Sequence, residues 1–156
     1  MWGTERMKVN WKILISCFVI VFGIGLLGGL FTNTGNWYDS VKPSITPPGF
    51  VFPIVWNILF FMIALSLYFA WINKKKDKKL FYWIFGSNLS FNFLWSLLFF
   101  GLQKPFLAFV DLAFIWLTIL GLIFVGWKID RKVSYMLIPY LLWVSFAGIL
   151  NWLIIF

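Results

Sequence analysis

The sequence predicts an all-α membrane protein: a single domain over residues 1–156, built as a five-transmembrane-helix bundle. Three observations predict it. Hydrophobic residues make up 62% of the chain and charged residues 12%, against roughly 45–50% and 25% in soluble domains. Five apolar runs, at about 11–31, 50–72, 80–100, 106–127 and 133–156, each approach the ~20 residues that cross a hydrocarbon core. The charges then separate by side. Eleven of the thirteen Lys and Arg residues lie at one end of these runs, and only Lys42 and Lys104 lie at the other. By the positive-inside rule the net charge of +8 reports topology rather than nucleic acid. The N-terminus is then cytoplasmic in a membrane expected to be bacterial, with the C-terminus and the first loop on the opposite side.

Taken in order, the chain opens with a short basic stretch carrying Arg6, Lys8 and Lys12. The run from Trp11 to Phe31 is long for a signal-peptide core, and Thr32-Asn33-Thr34 is not a small-residue cleavage site, so the run reads as a span. Gly25 and Gly29, with Gly28 beside them, leave one face of it open to close approach. Residues 32–49 form the first loop. Pro43, Pro47 and Pro48 fix their own φ and bias the residue before each away from helix. Residues 36–48 are therefore predicted as a stiff, extended segment with turns, placed like a lid. Pro48-Gly49 releases the chain into the second span, where Pro53 falls in a first turn that has spare N–H groups anyway.

Asn73 to Lys79 is a hydrophilic turn with five lysines. The third span ends at Gly101, and the fourth follows the short connection to Pro105. Lys128 to Lys132 is a second basic turn, and the fifth span runs to Phe156. Trp2, Trp11, Trp71, Trp83 and Trp127 fit an interfacial aromatic belt.

The chain has no histidine, which removes the commonest metal ligand and general base, and no metal site or cofactor is predicted. Cys17 is the only cysteine, so no internal disulfide forms. Polar side chains inside the spans carry the information, since each is costly there without a partner or a cavity. Spacings of three and four put Asn88, Asn92 and Trp95 on one face of the third span. The same spacings align Tyr140, Trp143, Ala147 and Asn151 on the fifth, and Trp56 and Phe60 on the second. The asparagines either hydrogen-bond helix to helix or serve as polar contacts in a cavity. Trp56, Trp95 and Trp143 converging beneath the lid would wall an apolar cavity with Asn92, suited to a large planar aromatic ligand. Asp111, the one acid well inside a span, reads as lying near the interface. Gly86 and Ser90 form a small-x-x-x-small pair, which predicts a homodimer through the third helix, with the first helix as the rival surface.

The pattern Trp37-Tyr38…Lys42-Pro43…Pro47-Pro48…Phe52-Pro53…Trp56 resembles the first loop and second helix of the TspO/translocator-protein family, the tryptophan-rich sensory proteins related to the peripheral benzodiazepine receptor. Asn92-x-x-Trp95-Ser96-x-x-Phe99-Phe100 is similar to that family's third-helix signature. Pro139-Tyr140-x-x-Trp143-x-x-Phe146-Ala147-x-x-Leu150-Asn151 is similar to its fifth. The resemblance implies a five-helix dimer that binds porphyrins such as protoporphyrin IX, as ligand and not cofactor, and isoquinoline or benzodiazepine-type drugs. It places Trp56, Asn92, Trp95, Trp143, Ala147 and Leu150 in the pocket and Trp37 in the lid, with Phe60 and Phe114 as further contacts. One departure stands out. Leu150 to Phe156 holds no Tyr, Lys or Arg, so the family's sterol motif is not carried over.

Three functions compete on this reading. The first is a porphyrin-binding receptor or sensor. The second is a transporter of tetrapyrroles or other hydrophobic ligands, which lacks the internal repeat and interrupted helices of many transporters. The third is light-dependent porphyrin breakdown, for which Trp56 and Trp143 are the catalytic candidates, because ordinary acid–base chemistry has no histidine to use.

Overall fold

A computed structural model describes residues 8–32, 35–75 and 77–156; Trp2, Arg6, Asn33, Thr34 and Lys76 lie outside them. The described residues form α1 (Trp11–Gly29), α2 (Asn36–Val41), α3 (Val51–Ile72), α4 (Lys79–Ser96), α5 (Pro105–Ile129) and α6 (Arg131–Ile155). A π-helical turn, Leu97–Gly101, continues α4 directly. All but α2 are long and apolar enough to cross a membrane, with the π turn counted as part of α4. Leu26, Leu30, Trp83, Phe124 and Leu142 are 65–79% exposed on the outside of the bundle. Left in water, each would forfeit roughly 1.5–3 kcal/mol of burial; against lipid they lose nothing. The chain is an integral membrane protein.

The spans close into a ring. α1 packs on α3 and α4, α3 on α6, α6 on α5, and α5 on α4. Small residues set the close approaches. A Cβ on Gly25 would lie 2.5 Å from the Phe60 ring of α3, and one on Gly28 would lie 3.3 Å from Ser96 Oγ of α4. Gly25 and Gly28 are therefore consumed inside the bundle, whereas a Cβ on Gly29 meets nothing within 4 Å. A Cβ on Gly86 of α4 meets nothing within 4 Å.

The α5–α6 hairpin turns on Asp130 alone, which is extended at φ −158° and ψ 133°. Its carboxylate accepts the Lys132 N–H at 2.9 Å and so caps α6. Gly126 lets the two helices meet, since a Cβ there would sit 2.8 Å from Val133. Hydroxyls stitch the buried ends: Ser134 Oγ donates to the Ile123 carbonyl at 2.6 Å, and Ser66 Oγ to the Val133 carbonyl at 3.0 Å. Pro105 opens α5 in the first turn, where its missing N–H costs nothing.

The lid departs from the stiff, extended segment with turns predicted for residues 36–48. Asn36–Val41 are helical. The prolines restrict only themselves and the residue before each, which leaves residues 36–41 free to coil. Pro43 then ends the helix by holding Lys42 at φ −62° and ψ 134°. Beyond it the chain is irregular, with a turn closed by Thr46 N–H donating to the Pro43 carbonyl at 3.0 Å.

Candidate functional site

The interior of the ring is polar at its centre and aromatic towards the lid. At the centre, Asn92 Nδ2 of α4 donates to the Tyr140 hydroxyl of α6 at 2.9 Å. That hydroxyl donates to Asn88 Oδ1 at 3.2 Å, and Asn88 Nδ2 donates to Thr118 Oγ1 of α5 at 2.9 Å. Thr118 Oγ1 in turn donates back to carbonyls of its own helix. Three spans are thus joined by one chain of hydrogen bonds. It forms because Asn88 and Asn92 are four residues apart and point to the same side, and because a bilayer's hydrocarbon core supplies no water to satisfy polar groups otherwise. Of the two readings of the asparagines, helix-to-helix bonding is the one this geometry displays.

Trp56 and Phe60 flank the network on α3. Their rings lie 5.4 Å apart, and the Trp56 indole stands edge-on to Tyr140 at 6.3 Å. Towards the lid, Trp95 stacks on Phe99 at 5.1 Å with an interplanar angle of 15°. Its Nε1 donates to Asn151 Oδ1 at 3.4 Å, and Asn151 Nδ2 donates to the Pro105 carbonyl at 2.9 Å. The π turn inserts an extra residue into α4 at this point. Within it, Phe99 is buried to 3% exposure and meets both lid aromatics, Trp37 at 5.6 Å and Tyr38 at 6.2 Å. Burial, with Asp39 alongside, raises the Tyr38 phenol above its ordinary pKa, so the lid presents a neutral ring. Lys42 Nζ pairs with Asp39 at 2.6 Å on the lid's outer side.

A groove of about 380 Å³ runs between α3 and α6, walled by Val55, Leu59, Pro139, Leu142, Trp143 and Phe146. Its size is at the lower end of the ~300–1,000 Å³ usual for ligand sites. Trp143 meets Phe52 at 5.8 Å and Phe146 at 5.6 Å. The Trp143 Nε1 is fully buried and has no acceptor among the described residues. Asp111 Oδ2 is the second such atom inside the spans. Asp111 is only 5% exposed, enclosed by protein on α5 rather than open to an interface.

The candidates named from sequence therefore fall into groups. Trp56, Phe60 and Asn92 gather around Tyr140. Trp37 and Trp95 meet through Phe99. Trp143 faces the α3–α6 groove, Leu150 is buried, and Ala147 is half-buried against the core. Phe114 is brought to none of these. It is 49% exposed and stacks on Phe91 at 5.4 Å on the outer surface of α4 and α5. Tyr140, Phe99 and Asn151 were not among the candidates. Tyr140 was detectable as a hydroxyl on the aligned face of the fifth span that it shares with Trp143 and Asn151.

The TspO/MBR family model matches residues 17–156. The chain is 38% identical over 144 residues to the tryptophan-rich protein TspO of Archaeoglobus fulgidus, covering 90% of this chain and 94% of that relative. It is 28% identical over 147 residues to the tryptophan-rich sensory protein of Cereibacter sphaeroides, covering 93% and 90%. It is also 28% identical over 134 residues to the translocator protein of Bos taurus, covering 82% and 79%. With a ring of five spans under an aromatic lid and a family match over nearly its whole length, the chain belongs to the TspO/MBR family.

Proposed function

We propose that this protein is a membrane receptor or sensor for a planar, acceptor-bearing aromatic ligand, with porphyrins such as protoporphyrin IX and isoquinoline or benzodiazepine-type drugs as the ligand class. The observation that carries the reading is the buried indole N–H of Trp143, which has no acceptor among the described residues and belongs to a ring that lines an apolar groove. Leaving such a donor unpaired costs roughly 1–3 kcal/mol, and a ligand carbonyl, carboxylate or pyrrole nitrogen would recover it. The surrounding rings supply flat apolar area, the usual composition of a small-molecule site. The relatives' names, sensory protein and translocator protein, support a ligand-handling role.

Titration of protoporphyrin IX against the purified protein, followed by tryptophan quenching, tests the reading. Saturable binding is expected. Trp143→Phe, which keeps a ring and loses the donor, should weaken it about fivefold, the worth of one neutral hydrogen bond. Equal affinity of the variant and wild type would remove the argument from Trp143. Porphyrin flux into sealed vesicles would support the transporter reading instead.

Light-dependent porphyrin breakdown is favoured by one further contact. Trp56 stands edge-on to Tyr140, so two oxidisable side chains lie in contact inside the ring, while Trp143 lines the α3–α6 groove. Illumination in oxygen should alter the spectrum of bound porphyrin faster than that of porphyrin in empty detergent. Trp56→Phe and Trp143→Phe, compared at equal bound porphyrin, should slow the change.

A further inference from the structure

At the lysine-rich end of the bundle, the ends of α3, α5 and α6 enclose a second cavity of about 520 Å³. Its apolar wall is Phe69 and Ile72, and its polar rim is formed by Asn73, Lys74, Lys75, Lys132 and Asp130. We propose that this cleft is a binding site for an anionic phospholipid, taking the phosphodiester between Lys74 and Lys132 and laying an acyl chain along Phe69 and Ile72. The positive-inside rule accounts for lysines at this end of the protein, but not for their enclosing a preformed cavity at the height of the headgroups.

Two hydrogen bonds hold the cleft open. Asn73 Nδ2 donates to the Ile129 carbonyl at 3.2 Å, and Lys75 Nζ donates to the Lys128 carbonyl, which ties the end of α3 to the end of α5. Lys78 Nζ closes off α3 by donating to the carbonyls of Ala70, Trp71 and Asn73, each at 2.9 Å. Five carbonyls at the ends of α3 and α5 are thereby answered by protein donors.

The charges are arranged for a monoanion. Asp130 is the only acid on the rim, and its carboxylate caps α6 through the Lys132 N–H. Lys75 is committed to a carbonyl. The Lys132 ammonium lies 5.7 Å from the centre of the Phe69 ring, held over the apolar wall where a headgroup would meet a chain. Among the described residues the one ion pair is Lys42 with Asp39, at the opposite end of the molecule. Among the described residues Lys74 and Lys132 thus have no carboxylate partner, and they flank an apolar slot in the plane of the membrane surface. A free phosphate would satisfy the lysines but leave that slot unused, so the lipid is the occupant the cleft fits.

The test uses the full-length protein in detergent with defined lipids, counting retained lipids by native mass spectrometry. Wild type should retain phosphatidylglycerol in preference to phosphatidylcholine. Lys74→Gln with Lys132→Gln should lower that retention by about fivefold for each lysine removed, the worth of one cation near an anionic surface. Lys8→Gln with Lys12→Gln removes the same charge from the same face and should retain the lipid. Lys132→Arg, which keeps both charge and fold, should retain it too. Equal loss in the Lys8/Lys12 variant, or none in the Lys74/Lys132 variant, would overturn the proposal. Displacement of the lipid by inorganic phosphate as readily as by soluble phosphatidylglycerol would show a plain anion site and overturn the lipid assignment.

Discussion

Tyr140 is where the polar side chains of three spans meet, and its hydroxyl both accepts from Asn92 and donates to Asn88. Replacing it with phenylalanine removes one oxygen and strands two buried amides. Tyr140→Phe should therefore cost about 1–3 kcal/mol for the groups left unpaired, measured as an earlier thermal unfolding midpoint in detergent. An unchanged midpoint would mean that the asparagines repair themselves locally. Asn92→Ala should be milder in stability, because Tyr140 keeps Asn88. The residue scale also shows what periodicity can and cannot give. Spacing alone put Asn88 and Asn92 on one face, and the structure uses that face. Spacing gave no warning that Phe114 turns outward to stack on Phe91, since Phe114 lies three and four residues from Asp111 and Thr118, the polar residues of the fourth span.

At the scale of elements, the lid is tied to the bundle through the π turn, where Phe99 meets Trp37 and Tyr38. Neither α2 nor the π turn was legible beforehand. A six-residue helix is too short to show a period, and a π turn has no signature in residue type. The lid's proline constraint was legible, and it carries a prediction. Pro47 and Pro48 reduce the freedom of the open loop, so replacing both with alanine should raise the dissociation rate of bound porphyrin. Stopped-flow dissociation at the wild-type rate would show that the segment does not gate the site. Helix surfaces give a sharper contrast. Gly25 already faces Phe60, whereas Gly86 faces open space beside exposed Trp83 and Ser90. We expect Gly86→Leu to yield monomers in mild detergent with the fold intact. Gly25→Leu should instead lower thermal stability, because its side chain must displace the Phe60 ring. Dissociation caused only by Gly25→Leu would assign the dimer to α1.

At the scale of the whole molecule, the five spans were readable because each helix declares itself by its own length and apolarity, without reference to the others. Their circular order was not, because it depends on which faces interlock, such as Gly126 on Val133 or Gly25 on Phe60. Orientation in the membrane follows from charge alone. Eleven Lys and Arg residues lie at the ends joined by the 73–79 and 128–132 turns, and Lys42 and Lys104 lie at the lid end. By the positive-inside rule a bias of this size leads us to expect the lysine-rich end in the cytoplasm. The prediction can be read by chemistry, since the single native thiol, Cys17, is buried in α1. In a Cys17→Ala background, Lys104→Cys stands in an exposed connection at the lid end, and Lys75→Cys stands at the lysine-rich end. A membrane-impermeant maleimide added to intact cells should label Lys104→Cys promptly and spare Lys75→Cys until the membrane is permeabilised. The reverse pattern would invert the topology and place the lid on the cytoplasmic side. Labelling of both in intact cells would mean that the two orientations coexist, which an excess of eleven cations over two argues against.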